Sequence, residues 1–150
     1  MSSLDQVVPN SQGERLVVVT GASRGVGRAT AKALVEVHGC RVVAVSRDPQ
    51  GLASLKEECE RADALEALPL DLASPKGIAQ VERHIAGRRV HGLVNNAGLL
   101  IKKDWGSWTM EDLQRLFQLN AAVPLLLTQA LGDLLGADPP GHVVNIGSMG

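Results

Sequence analysis

The residues from Thr20 to Gly27, TGASRGVG, set three glycines between an apolar run and a segment of helical spacing. Each glycine has a physical task. Gly21 permits a tight turn off a strand, Gly25 lets an anion approach the backbone, and Gly27 lets the following helix pack closely on the strand. A helix starting there presents unpaired N–H groups and the positive end of its dipole, which suits a pyrophosphate. Ser23, Arg24 and Val26 complete this binding turn, and Arg24 brings a cation to it.

A second candidate closes the stretch VVAVSRDP, where Ser46 and Arg47 follow apolar residues. At the end of the second strand of a nucleotide-binding βαβ unit, an acid pairs with the ribose diol of NAD and an arginine with the 2′-phosphate of NADP. Ser46 is neutral and Arg47 cationic, so charge favours NADP over NAD. Asp48 argues the other way, because a strand two residues longer turns its carboxylate toward the ribose.

Two further positions can act on a substrate. Pro124 lies four residues after Asn120 and has no N–H to give the carbonyl of residue 120, which its ring also crowds. The resulting kink leaves a carbonyl that can bind water for a proton relay; a kink of structural meaning alone is the competing reading. Ser148 follows HVVNI, at the C-terminal end of a strand, the side on which open α/β sheets bind ligands. Small polar residues also stand there for turn geometry alone.

These groups need a scaffold. Short apolar runs alternate with longer helical spacing, which predicts βαβ units and a parallel sheet. The expected strands are Leu16 to Thr20, Arg41 to Ser46, Ala67 to Leu70, His91 to Asn95 and His142 to Ile146. Val26, Ala29, Thr30, Ala33, Leu34 and Val37 mark the apolar face of the first helix, closed by Gly39. A second helix is expected from about Leu52 to Arg61, and a third from Ser74-Pro75 with Ile78, Val81 and Ile85 inward. The longest helix starts at Thr109, with Asp112 as capping-box partner and Leu113, Leu116 and Phe117 on its apolar face. Trp105 and Trp108 read as packing anchors in the loop before it.

The order of the motifs resembles that of the short-chain dehydrogenase/reductases: Thr-Gly-x-x-x-Gly-x-Gly, then Asp71, then Asn95-Asn96-Ala97-Gly98, then Asn120, then Ser148. The resemblance implies an α/β, Rossmann-like fold, a doubly wound parallel sheet of strand order 3-2-1-4-5. The segment Val42 to Arg47 is similar to that of the NADP-using dicarbonyl/L-xylulose reductases. By the same resemblance Asp71, with Leu72 beside it, contacts adenine; Asn95, Ala97 and Gly98 belong to the cofactor site; and Ser148 and Asn120 are catalytic, the serine bonding the substrate oxygen and the asparagine joining a water relay. The implied reaction interconverts a carbonyl and an alcohol by hydride transfer. Its partners are then a small-molecule carbonyl or alcohol and, in the complete protein, other copies in a homo-oligomer, a dimer or tetramer.

Other classes lack support. Fifteen basic and 16 acidic residues leave a formal charge of −1, with no footprint for nucleic acid or an anionic membrane. Cys40 and Cys59 suggest reduced thiols and a cytoplasmic location, and the four histidines show no ligand spacing, so no metal site is expected. Residues 1–14 read as a flexible polar tail and residues 15–150 as the dinucleotide-binding domain.

One part of the implied machinery is missing. The family's general acid is a Tyr, supported by a Lys, on the helix after the serine, and these 150 residues contain no Tyr. Two accounts follow: the N-terminal part of a longer reductase, truncated before its Tyr-x-x-x-Lys helix, or a non-catalytic NADP(H)-binding sensor or partner subunit. The cofactor turn, Pro124 and Ser148 favour the first. Either way, the apolar side of the fifth strand and much of the long helix are expected to be exposed.

Overall fold

Val-rich runs pair side by side because a parallel ladder buried on both faces rewards β-branched residues at successive positions. In the computed structural model, which describes residues 13–148, five such runs form one sheet of order β3-β2-β1-β4-β5. They are β1 (Leu16–Thr20), β2 (Arg41–Ser46), β3 (Leu65–Pro69), β4 (Gly92–Asn95) and β5 (His142–Asn145), and every pairing is parallel. The expected order is therefore observed. The third strand starts two residues before the expected Ala67, since Leu65 pairs with Val42 and fills the core.

Helices cover both faces. Val17, Val19, Val42 and Ala44 point to one side, where α1 (Gly25–Glu36) and α2 (Pro49–Glu58) add Ala31, Val35, Leu52 and Leu55. Leu16, Val18, Val43, Val45 and Leu93 point to the other side, against Val81 and Ile85 of α3 (Gly77–Ile85) and Val123 and Leu127 of α5 (Val123–Ala130). This alternation along each strand is the doubly wound arrangement.

Several local expectations are corrected. The first helix turns Gly27, Ala31 and Val35 inward, and Val26, Ala29 and Val37 face out, because close approach to the sheet selects the smallest residues rather than the largest apolar count. Ser74-Pro75 forms a turn, with the Ser74 hydroxyl donating to the Asp71 carbonyl, and α3 begins only at Gly77. The longest helix does start at Thr109 with the reciprocal Thr109–Asp112 capping box. However, α4 (Met110–Phe117) passes into a π-helical turn (Gln118–Ala122) before α5, and a four-residue helix, α6 (Gly132–Leu135), follows. In this long helix Leu119 of the π turn packs against the core and Val123 is the first buried apolar residue; Leu113 and Phe117 are exposed, as are Val143, Val144 and Ile146 around the edge strand β5. Trp105 is 99% exposed and is no packing anchor.

The segment read as a tail lies outside the described residues except for Gly13 and Glu14, and the Glu14 carboxylate accepts from Arg41 and Arg61 at 3.1 and 2.7 Å. Both cysteines are buried free thiols. Among the described residues, no helix is long and apolar enough to cross a membrane.

Candidate functional site

The turn between β1 and α1 opens onto a cleft of about 410 Å³ at the C-terminal end of the sheet. Gly21 and Gly25 both take positive φ, +65° and +57°, which lets the chain reverse off β1 without strain. A side chain added at Gly25 meets nothing within 4 Å, so this part of the turn faces open space. At Gly27 an added Cβ lies 2.3 Å from the Gly21 carbonyl oxygen, so α1 can meet the strand end only through a glycine. Unlike α2 and α4, α1 has no side-chain cap, and with no acid in its first turn its N–H dipoles are left to an anion from outside.

Most of the predicted cofactor residues converge here. Gly21, Ser23, Arg24 and Gly25 form one wall, Ser46 and Arg47 the next, Asp71 and Leu72 the third, and Ala97 and Gly98 the floor beside Asn96. Val26, Gly27 and Asn95 do not line this cleft. Val26 is turned to solvent, Gly27 is the packing contact just described, and Asn95 is buried, donating its amide to Asn145 at 2.9 Å and Thr128 at 3.4 Å.

Asn96, named in the motif but not among the expected cofactor residues, holds the floor of the cleft together. Its side-chain amide donates to the carbonyls of Thr20 and Gly21 at 3.1 and 3.2 Å, and the Thr20 hydroxyl accepts the N–H groups of Asn96 and Ala97. The two motif segments, 76 residues apart, are thereby welded into one floor. The doubled Asn of Asn95-Asn96-Ala97-Gly98 is the sequence signal for this lock.

At the second strand end, β2 stops at Ser46, whose hydroxyl donates to Ser23 Oγ at 2.8 Å. Asp48 does not extend the strand. Its carboxylate accepts from the N–H groups of Gln50 and Gly51 at 3.1 and 3.0 Å and caps α2. Arg24 and Arg47 both edge the cleft, and neither guanidinium has a carboxylate partner among the described residues. An uncapped helix start, an open glycine turn and two uncompensated cations fit a dinucleotide bearing an additional phosphate.

A wider cleft adjoins the first, sharing Arg24, Arg47 and the 96–98 segment with it, and Asn120 and Ser148 stand on its wall. The Asn120 amide is engaged at both ends: Nδ2 donates to the Leu99 carbonyl at 2.9 Å and Oδ1 accepts the Leu99 N–H at 2.7 Å. Pro124 is accommodated by the π turn, in which the Val123 N–H reaches back to the Gln118 carbonyl. The loop entering α4 is held by Asp112, whose carboxyl lies at about 2 because the Lys103 ammonium and Thr109 bond to it.

A family model described as short chain dehydrogenase matches residues 15–150. The chain is 36% identical over 134 residues to the NADPH carbonyl reductase 2 of Sus scrofa, covering 88% of this chain and 52% of that protein. It is 34% identical over 145 residues to protein FixR of Bradyrhizobium diazoefficiens, covering 90% and 50%. A solved short-chain dehydrogenase from Sphingobium yanoikuyae in complex with NADPH superposes with a TM-score of 0.80 at 32% identity, over 90% of this chain and 54% of that one. The chain spans about half the length of the curated relatives it matches.

Proposed function

The chain belongs to the short-chain dehydrogenase family, and from that premise we propose that residues 15–150 are the NADP(H)-binding part of an oxidoreductase interconverting a small-molecule carbonyl and an alcohol. The observation that carries this reading is the pair Arg24 and Arg47 on the cleft edge without carboxylate partners among the described residues, while Asp48, the one acid able to argue for NAD, is turned to cap α2. The carbonyl reductase relative and the NADPH-bound neighbour support the same coenzyme.

In this reading the first-turn amides of α1 hold the diphosphate, Arg24 and Arg47 hold the ribose phosphate, and Asp71 and Leu72 border the adenine. When bound, the nicotinamide exchanges a hydride with the substrate carbon. Ser148 donates its hydroxyl to the substrate oxygen, and Asn120 holds the Leu99 backbone beside it while its neighbourhood serves a water-borne proton path. These 150 residues contain no Tyr. The exposed Met110, Leu113 and Phe117 support a homo-oligomer, and the buried thiols a reducing, cytoplasmic location.

The second reading is a partner subunit or sensor that binds NADP(H) without turnover. Titration calorimetry with NADPH and NADH tests the coenzyme step common to both: Arg47→Ala is expected to weaken NADPH about tenfold or more and NADH about twofold or less. Equal losses contradict the phosphate assignment. In a polypeptide that carries the acid, Ser148→Ala is expected to cut turnover far more than NADPH affinity; equal turnover favours the non-catalytic reading.

A further inference from the structure

Arg28 has no part in the reading above, yet its side chain is only 21% exposed and is bonded at four points. Nη1 donates to the carbonyl of Ser23 in the glycine turn at 3.2 Å and to the carbonyl of Gly51 in the first turn of α2 at 2.8 Å. Nη2 donates to Ser54 Oγ at 3.1 Å and pairs with Glu58 at 2.8 Å. The guanidinium thus rivets the glycine turn to α2.

The two riveted pieces carry different cations. The turn carries Arg24 at the start of α1, and Arg47 stands immediately before α2, whose cap is Asp48. Their approach is close: a Cβ at Gly51 lies 2.8 Å from the Cβ of Ser23, so α2 reaches the turn only because residue 51 is glycine. Without Arg28, the Ser23 and Gly51 carbonyls lose the guanidinium donor they share, and α2 loses this hold on the turn.

We infer that Arg28 is a positioning residue for coenzyme choice, which by bridging Ser23 and Gly51 keeps Arg24 and Arg47 close enough to grip one ribose phosphate together. This rests on the coenzyme reading proposed above. In that reading the diphosphate sits on the first-turn amides of α1, so displacement of α2 reaches the extra phosphate first. Lysine keeps the charge but not the planar fork that spans two carbonyls and a carboxylate.

The test is calorimetric titration of NADPH and NADH into the wild type, Arg28→Met and Arg28→Lys, with thermal unfolding followed in parallel. The preference for NADPH over NADH is expected to fall about tenfold in both variants, with NADH affinity within about threefold of wild type. If Arg28→Met does not fold, Arg28→Lys carries the test. An unchanged preference overturns the assignment, whether or not the unfolding temperature falls, since a merely structural role weakens both coenzymes together; full restoration by lysine also overturns it. A wild type that binds neither coenzyme overturns the coenzyme reading as well, whereas binding with an unmoved ratio overturns this assignment alone.

Discussion

Asn96 bonds to Thr20 twice and donates each time: its backbone N–H to the Thr20 hydroxyl at 3.0 Å, and its side-chain amide to the Thr20 carbonyl at 3.1 Å. Thr20 is 2% exposed, and its hydroxyl also takes the Ala97 N–H at 2.9 Å. Thr20→Val keeps the shape and deletes the acceptor for two N–H groups. A loss of about 2–4 kcal/mol in urea unfolding is expected. A loss under about 1 kcal/mol shows that the floor of the cleft does not depend on this bond.

Asp48→Asn separates capping from charge. Asparagine caps α2 as well as aspartate does, so stability is expected to change by less than about 0.5 kcal/mol. Removing a carboxylate from the rim that holds Arg47 is expected to tighten NADPH severalfold and leave NADH unchanged. If NADH weakens instead, Asp48 reads the ribose and the NADP assignment fails.

His91 makes stability depend on pH at the opposite end of the sheet. Its Nδ1 accepts the Leu16 N–H at 3.1 Å, a role open only to the unprotonated nitrogen. Burial, and then Arg89 and Arg15 nearby, hold its pKa below the ordinary 6.5. The folded chain therefore takes up this proton less readily than the unfolded chain. Its contribution is full above 6.5 and is lost as the pH falls from there through the depressed folded value. Denaturation at a series of pH values is expected to show this decline in the wild type and a flatter curve in His91→Asn, whose side-chain oxygen accepts without titrating. Parallel curves contradict the role.

Asn120→Leu deprives the Leu99 N–H and carbonyl of their side-chain partner. Because the site is exposed, global stability is expected to hold within about 1 kcal/mol, while hydrogen exchange at the Leu99 amide speeds up about tenfold. Unchanged exchange at Leu99 means that the loop after β4 is held by other contacts.

Signals that act within a few residues were legible in the chain. The Thr109–Asp112 capping box and the glycine turn each follow from spacing over one turn of helix, and both formed as read. The inward face of α1 does not follow its largest apolar residues, because contact with the sheet selects Gly27, Ala31 and Val35. Pro124 announced a disturbance in the long helix but not its form: the chain inserted a π turn upstream of the proline.

The sequence by itself determined the strands, their alternation with helices, and a turn at Gly25 with open space beside it, because periodicity and backbone freedom are local properties. Only the tertiary structure decided which of two neighbouring asparagines locks the floor, which arginines stand without a carboxylate partner among the described residues, and where Asp48 points. Those choices join residues such as Ser23 and Gly51 or Thr20 and Asn96, whose meeting depends on the facing of strands and the phase of helices once packed. A side chain one position along a strand points to the opposite layer, and no local spacing says which layer will hold its partner.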